Sequence, residues 1–349
     1  AKNFMCTYHG WTFSNEGKLV SVPGLQEAYY GELDVEHLSL VEARCDTYAG
    51  IIFASWADDA PSLEAYLGAS RWYLDTLFNR SDAGLQVWGP DKWTQPVNWK
   101  TAVDNCSDFY HVPSTHQATM LAQAKIQKGS FPSRLADLLS LDGHQAHING
   151  HSINYWVKGD DDPKFAHGMK GDNVHLFMKH WKDVEEAEIR RLGRFRAMNL
   201  VVGTTNIFPN TVLWFRLEFP RGPLQSEFWH FGYAEKDMPR ELSRILIWGG
   251  QNNGTAGVFE MDDMDNWRQV TDSGTTPIRR KYQAQVSMGL GRGEQHPEHS
   301  GERTPQFISE NNQRNYYKRW HEFMNAESWK DIHIDPITAN YEGTATFKG

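Results

Sequence analysis

The alternation of apolar and polar residues divides the chain into three stretches. Residues 1–57 carry short apolar runs between the turn signals Asn15-Glu16-Gly17, Pro23-Gly24 and Tyr48-Ala49-Gly50, the last leading into Ile51-Ile52-Phe53-Ala54. That pattern predicts small antiparallel strands. Ala60-Pro61-Ser62 marks a boundary, with Ser62 as N-cap and Glu64 in the first turn of a short helix. Beyond it, strands are expected at Leu85–Trp88 and near Gln95–Trp99, and a helix from about Thr101. Residues 118–173 are the least regular part, rich in Gly, Asp and His, a composition suited to an entrance or a mobile loop. His144, His147 and His151 fall there and read as a polar loop. Asp183–Arg196 has mixed charges at helical spacing and predicts a solvated helix. Strands follow at Asn199–Phe208, Thr211–Phe219 and Glu227–Glu235, then helices from Pro239 through Trp248, from Gly257 to Val270, and over Asn311–Met324. The fold class is therefore α+β, with a small β module over 1–57 and a larger domain of antiparallel sheet and helices over 58–349.

Composition narrows the function. Three cysteines in 349 residues make no disulfide framework, and the odd, sparse count favours a reducing, cytoplasmic setting. No run approaches the roughly 18 apolar residues of a membrane span, and no basic segment followed by an apolar one opens the chain as in a signal peptide. A formal charge of −9 argues against nucleic acid as the main partner. Fourteen tryptophans and 15 histidines suit an apolar cavity with metal ligation.

Three motifs carry the chemistry. Cys6-Thr7-Tyr8-His9-Gly10-Trp11 offers a thiolate and an imidazole from one tight turn, suited to zinc or an iron–sulfur centre. A Rieske [2Fe–2S] cluster takes two cysteines and two histidines, and Cys45 and Cys106 have no histidine at the spacing of the other pair. The second motif is Asp104-Asn105-Cys106-Ser107-Asp108-Phe109-Tyr110-His111-Val112-Pro113-Ser114-Thr115-His116. On one ideal helix His111 and His116 would diverge by about 140°, so Pro113 is expected to break the helix and return His116 beside His111. Asp108, three residues before His111, is placed to accept its second ring N–H. The third is Gly257-Val258-Phe259-Glu260-Met261-Asp262-Asp263-Met264-Asp265-Asn266-Trp267, where Asp262 and Asp263 point about 100° apart on a helix and only one can face a metal. Two imidazoles and one carboxylate make the facial triad of non-haem Fe(II) oxygenases. Spacing alone does not choose between the two aspartates.

Together with Asp58–Leu63, Asn98-Trp99-Lys100, Ile207–Asn210 and Glu235–Pro239, these motifs resemble the α subunits of Rieske-type aromatic-ring-hydroxylating dioxygenases, the naphthalene and biphenyl dioxygenase group. The resemblance implies a helix-grip catalytic domain following the C-terminal part of a Rieske domain, in a chain cut inside that first domain. It implies His111, His116 and Asp263 as ligands of a mononuclear Fe(II), and Cys6 and His9 as half the ligands of the [2Fe–2S] cluster. Asp108 matches the family's electron-transfer bridge between subunits. Asp104, Asn105, Val112, Val202, Thr204, Trp214 and Phe259 match substrate-pocket positions, and the polar Asp104 and Asn105 suit a substrate with a polar substituent. The implied reaction is cis-dihydroxylation of an aromatic ring by O2, with electrons from NADH arriving through a reductase and ferredoxin, in an α3β3 assembly with a small β subunit. A Rieske monooxygenase, or a helix-grip module that binds a ligand without chemistry, are the alternatives.

Overall fold

The computed structural model describes residues 2–127, 135–159, 174–212, 215–250, 254 and 257–336. Among the described residues, those up to Thr47 with Ile51–Ala60 form one compact unit, and Tyr48–Gly50 with those from Pro61 onward form another. In the first, β1 (Asn3–Met5), β2 (Thr12–Ser14) and β3 (Leu19–Ser21) pair antiparallel in sequence order. Strands β4 (Arg44–Tyr48) and β5 (Ile51–Ser55) form a hairpin. Ala49 and Gly50 turn it at φ 50° and 85°, the left-handed pair that matches strand twist in two-residue turns.

The second unit opens with α1 (Leu63–Leu67), capped as expected by Ser62 Oγ, which accepts from the Ala65 N–H at 3.2 Å. Helix α2 (Arg71–Phe78) and strand β6 (Leu85–Gln95) follow. The strand expected near Gln95–Trp99 does not form: Asn98 instead caps α3 (Trp99–Asn105), its side chain accepting from the Lys100 N–H at 3.0 Å. Next come α4 (Val112–Thr115), α5 (Gln117–Gln127) and α6 (Leu135–Leu139). The stretch read as irregular then supplies two strands, β7 (Asp142–Ile148) and β8 (His151–Val157). After α7 (Val174–Leu192) come β9 (Leu200–Ile207), β10 (Thr211–Val212), β11 (Arg216–Pro220) and β12 (Ser226–Glu235). The single strand expected over Thr211–Phe219 is thus two short ones. Helices α8 (Arg240–Gly250) and α9 (Val258–Thr275), strands β13 (Glu294–His296) and β14 (His299–Thr304), and α10 (Asn311–Asn325) complete the unit. Charged and polar residues hid β13 and β14 from a period-two apolar reading.

One antiparallel sheet of nine strands, in the order β13-β14-β7-β8-β9-β10-β11-β12-β6, runs through this unit. Side chains alternate between its faces. From β8, Ile153 and Tyr155 pack with Ala69, Trp72 and Tyr73 at α2, whereas Asn154 and Trp156 meet Cys106 and Phe109. Met264 and Trp267 of α9 join Val97, Ala102 and Phe228 in a second cluster. Histidines 144, 147 and 151 are therefore sheet residues, not an entrance loop. The Arg303 guanidinium lies 3.2 Å from His144 Nδ1, and His147 faces Glu302 at 3.4 Å. His151 Nδ1 accepts from the Phe208 N–H at 3.0 Å while Nε2 donates to the Tyr66 carbonyl at 2.9 Å. Burial lowers the His151 pKa to about 4, keeping the ring neutral for that pairing.

Gly143 of β7 lies under the Phe307 ring, where an added Cβ would meet Cδ2 and Cε2 at 2.2 Å. Gly143→Ala is expected to lower the unfolding free energy by about 1–3 kcal/mol in urea titrations, the usual cost of overpacking. An unchanged midpoint would show that the ring does not seat there.

Candidate metal centre

The segment between α3 and α4 has few regular backbone bonds of its own and is held by the sheet beneath it. Asn206 donates through Nδ2 to Ser107 Oγ at 2.7 Å and to Ser152 Oγ at 2.6 Å. Asn154 Nδ2 reaches the Cys106 carbonyl at 3.4 Å, Gln145 Nε2 the Ser107 carbonyl at 3.4 Å, and Thr204 Oγ1 the Asp108 carbonyl at 3.2 Å. Polar side chains of β7, β8 and β9 thus serve the backbone of 106–108. That is why polar residues occupy buried strand positions there, since buried polar groups are kept only when hydrogen-bonded.

Asp108 then closes the turn: its Oδ1 accepts from the His111 N–H at 3.1 Å and from Nδ1 at 2.6 Å. Pro113 does not break a helix between the two histidines, as the spacing suggested. It sits in the first turn of α4, a single turn that brings the rings of His111 and His116 to 5.5 Å between centroids. Proline is tolerated at this position because its missing N–H would be unpaired anyway.

Helix α9 supplies the third group. Glu260, Asp263, Met264, Trp267 and Thr271 make its buried face. Asp263 lies 3.8 Å (Oδ1) from His111 Nε2 and 3.3 Å (Oδ2) from His116 Nε2. His111, His116 and Asp263 each offer a ligand atom within 4.8 Å of the others, the one such group of three among the described residues. Asp262 does not point away idly: its Oδ2 lies 3.4 Å from His116 Nδ1 and accepts from Thr119 Oγ1 at 2.8 Å. Each histidine therefore gives Nδ1 to an aspartate and turns Nε2 toward Asp263. The partner role of Asp262 was missed in the sequence, although the Asp-Asp pair and Thr119, three residues after His116, were its signal.

The donor set fits a divalent ion. Asp263 Oδ1 is buried with no hydrogen-bond partner, a condition proteins rarely leave uncompensated. Two imidazoles and a carboxylate are the ligands of a non-haem iron centre with open positions. Burial opposes protonation of His111, but the Asp108, Asp263 and Asp104 carboxylates outweigh it and hold its pKa above the ordinary value. Such an excess of acid around two imidazoles suits a cation.

The other expected positions scatter. Asn105 Nδ2 lies 3.5 Å from His111 Nε2, and the Phe259 ring lies 4.5 Å from that of His116. Val112 packs on the Phe109–Phe307 cluster. Thr204 also pairs with Asn154 at 3.0 Å, so its hydroxyl is engaged. Val202 borders a cavity of about 380 Å³ with Trp181, Met198, Tyr233 and Met238, and none of the three converging residues lines it. Trp214 lies outside the described residues. Burial first, then Asp108 and Glu310, push Asp104 up to about 7.

Cys6 and His9 lie in an exposed turn closed by Cys6 N–H to the Trp11 carbonyl at 2.7 Å and Gly10 N–H to the Cys6 carbonyl at 2.9 Å. Backbone N–H groups at Tyr8 and His9 lower the Cys6 pKa, favouring thiolate. Cys45 lies in β4 and Cys106 is buried against Arg216. The turn offers one thiolate and one imidazole, whereas a Rieske cluster takes two of each.

Residues 63–326 match the family described as ring hydroxylating alpha subunit (catalytic domain). The chain belongs to this family of oxidoreductases, the α subunits of ring-hydroxylating dioxygenases. Membership implies a non-haem iron and a Rieske cluster. The chain is similar to the biphenyl 2,3-dioxygenase α subunit of Rhodococcus jostii, 33% identical over 94% of this chain and 72% of the relative. It is 31% identical to the benzene 1,2-dioxygenase α subunit of Pseudomonas putida, over 95% of this chain and 75% of the relative. A solved naphthalene 1,2-dioxygenase with indole in its active site superposes with a TM-score of 0.83 at 28% identity, covering 95% of this chain and 75% of that one.

Two outcomes follow. Asp262→Asn is expected to weaken Fe(II) binding about 10- to 100-fold by anaerobic titration, the usual cost of losing a ligand's orienting partner; affinity equal to the parent's would contradict that role. Asp104→Asn is expected to stabilise the fold by up to about 4 kcal/mol at pH 8. With the folded pKa raised, the folded state binds more protons than the unfolded between about pH 4 and 7, so the parent loses stability as pH rises through that window and the benefit of Asn grows with it. Urea titrations at pH 5 and 8 measure this, and a benefit that shrinks with pH would refute it.

Proposed function

We propose that this chain binds one ferrous ion through His111, His116 and Asp263 and is the catalytic component of an oxygenase that cis-dihydroxylates an aromatic ring. The observation that carries the reading is the buried Asp263 carboxylate, whose Oδ1 is unpartnered and faces His111 Nε2 while its Oδ2 faces His116 Nε2. The dioxygenase relatives support the reaction class.

When bound, the iron supplies the redox chemistry that activates dioxygen. The chain's own part is positioning and exclusion of water. Asp108 and Asp262 fix the tautomers by taking Nδ1–H, leaving the Nε2 lone pairs free for the metal. Phe259 covers one face of His116, and Phe109, Trp156 and Phe307 pack together behind Val112 as an apolar wall on the His111 side. Asn105 is the one neutral polar group beside His111 Nε2 among the described contacts, placed to orient a polar substituent on the substrate.

The reading extends to the assembly. Residues 1–57 are the C-terminal part of a Rieske domain, and Cys6 with His9 contributes two of its ligands. Electrons come from NADH by way of a reductase or ferredoxin, and a small β subunit completes an α3β3 complex in the cytoplasm. No helix among the described residues is long and apolar enough to cross a membrane.

Turnover of an arene under ¹⁸O2 by the full chain with its electron-transfer partners tests the reaction. The expected product is a dihydrodiol carrying two labelled oxygens, absent with Asp263→Ala. One labelled oxygen would make the protein a monooxygenase, and a parent that takes up no Fe(II) anaerobically would make it a binding module.

A further inference from the structure

We propose that Arg216 is a positioning residue that sets the separation between the helix carrying Asp263 and the segment carrying His111. The inference rests on the reading of His111, His116 and Asp263 as an iron site and concerns how that site is held in register.

Arg216, in β11, is 4% exposed, so each of its donors needs a partner inside the fold. Nε and Nη2 donate to Glu218 Oε1 at 3.0 and 2.6 Å, and Nη1 donates to Glu260 of α9. Nη2 also lies 3.9 Å from Cys106 Sγ, at the end of α3. The guanidinium centre is 5.2 Å from the Trp267 ring centroid and 5.5 Å from that of Phe228. Glu260 and Trp267 stand three residues before and four after Asp263, on the same helical face. Arg216 therefore grips α9 on both sides of the proposed ligand. Its contact with Cys106 reaches the other ligand-bearing stretch five residues before His111.

A buried ion cluster is a poor source of net stability, because desolvation offsets the attraction, and well-packed apolar residues often do as well. What this cluster supplies is geometry. A planar fork with fixed donor directions holds a carboxylate and a ring face of one helix at set distances, which a flexible ammonium does not. Glu218 is the internal control: it touches the same guanidinium from Arg216's own strand and lies on neither ligand-bearing element.

Four variants of the full chain separate positioning from general stability: Arg216→Met, Arg216→Lys, Glu260→Gln and Glu218→Gln. Co(II) serves as the probe, its affinity and visible ligand-field bands being read beside the Tm of each metal-free protein. Arg216→Met and Glu260→Gln are expected to weaken Co(II) binding about tenfold or more and to shift the bands. Arg216→Lys is expected to recover Tm more than affinity. Glu218→Gln is expected to lower Tm while affinity stays within about twofold, because the grip on α9 remains. Should Arg216→Met fail to fold, the near-isosteric Glu260→Gln decides in the same way. Parental affinity and bands in a folded Arg216→Met or Glu260→Gln overturn the proposal, as does an affinity loss that simply follows Tm across all four. A parent that binds no Co(II) or Fe(II) takes down the iron reading as well, whereas a binding parent with unaffected variants takes down only this inference.

Discussion

The proposed metal centre depends on hydrogen bonds between polar side chains of the central strands and the backbone of 106–108. That segment is too short and irregular to satisfy its own peptide groups in a buried place. Gln145, Asn154 and Thr204 do so from β7, β8 and β9, and Asn206 holds the Ser107 hydroxyl beside them. With the turn seated, Asp108 closes onto His111, and the single turn of α4 carries His116 round to the same point. Each step needs the one beneath it. A sheet with an apolar face here would be a better core and would leave the turn unsupported.

The second constraint is charge. Asp104, Asp108, Asp262, Asp263, Glu218 and Glu260 gather around two imidazoles and one guanidinium, all partly or fully buried. Carboxylates outnumber the cations available to them, and burial alone would drive protons back onto several. Glu218 shows this: burial raises its pKa to about 7 even though Arg216 pulls the other way. A divalent ion held between the Nε2 atoms and Asp263, as proposed, would compensate the excess where it is greatest. Arg216 does so one turn along α9.

Elements with an apolar period were legible. The Ser62 cap, α9, α10 and the strands at β9 and β12 follow from ordinary spacing, and the histidine and aspartate positions follow from the motifs. Strands β7 and β8 were not legible, because the residues that line them, His144, Gln145, His151, Ser152 and Asn154, are polar for the sake of long-range partners. Local pattern carries no trace of a partner dozens of residues away. Likewise the split of aspartates into Asp263 toward the imidazole Nε2 atoms and Asp262 behind His116 depends on how α9 is rotated, which core residues such as Met264 and Trp267 decide. The Arg216–Glu260 contact has no sequence signal at all, since nothing local tells a buried charge from a solvated one.

The most direct measurement is anomalous diffraction at the iron edge from crystals of the full chain loaded anaerobically with Fe(II). The account predicts a single mononuclear peak at bonding distance, about 2.0–2.2 Å, from the Nε2 atoms of His111 and His116 and from the carboxylate of Asp263. No peak at this point in fully loaded protein would contradict it.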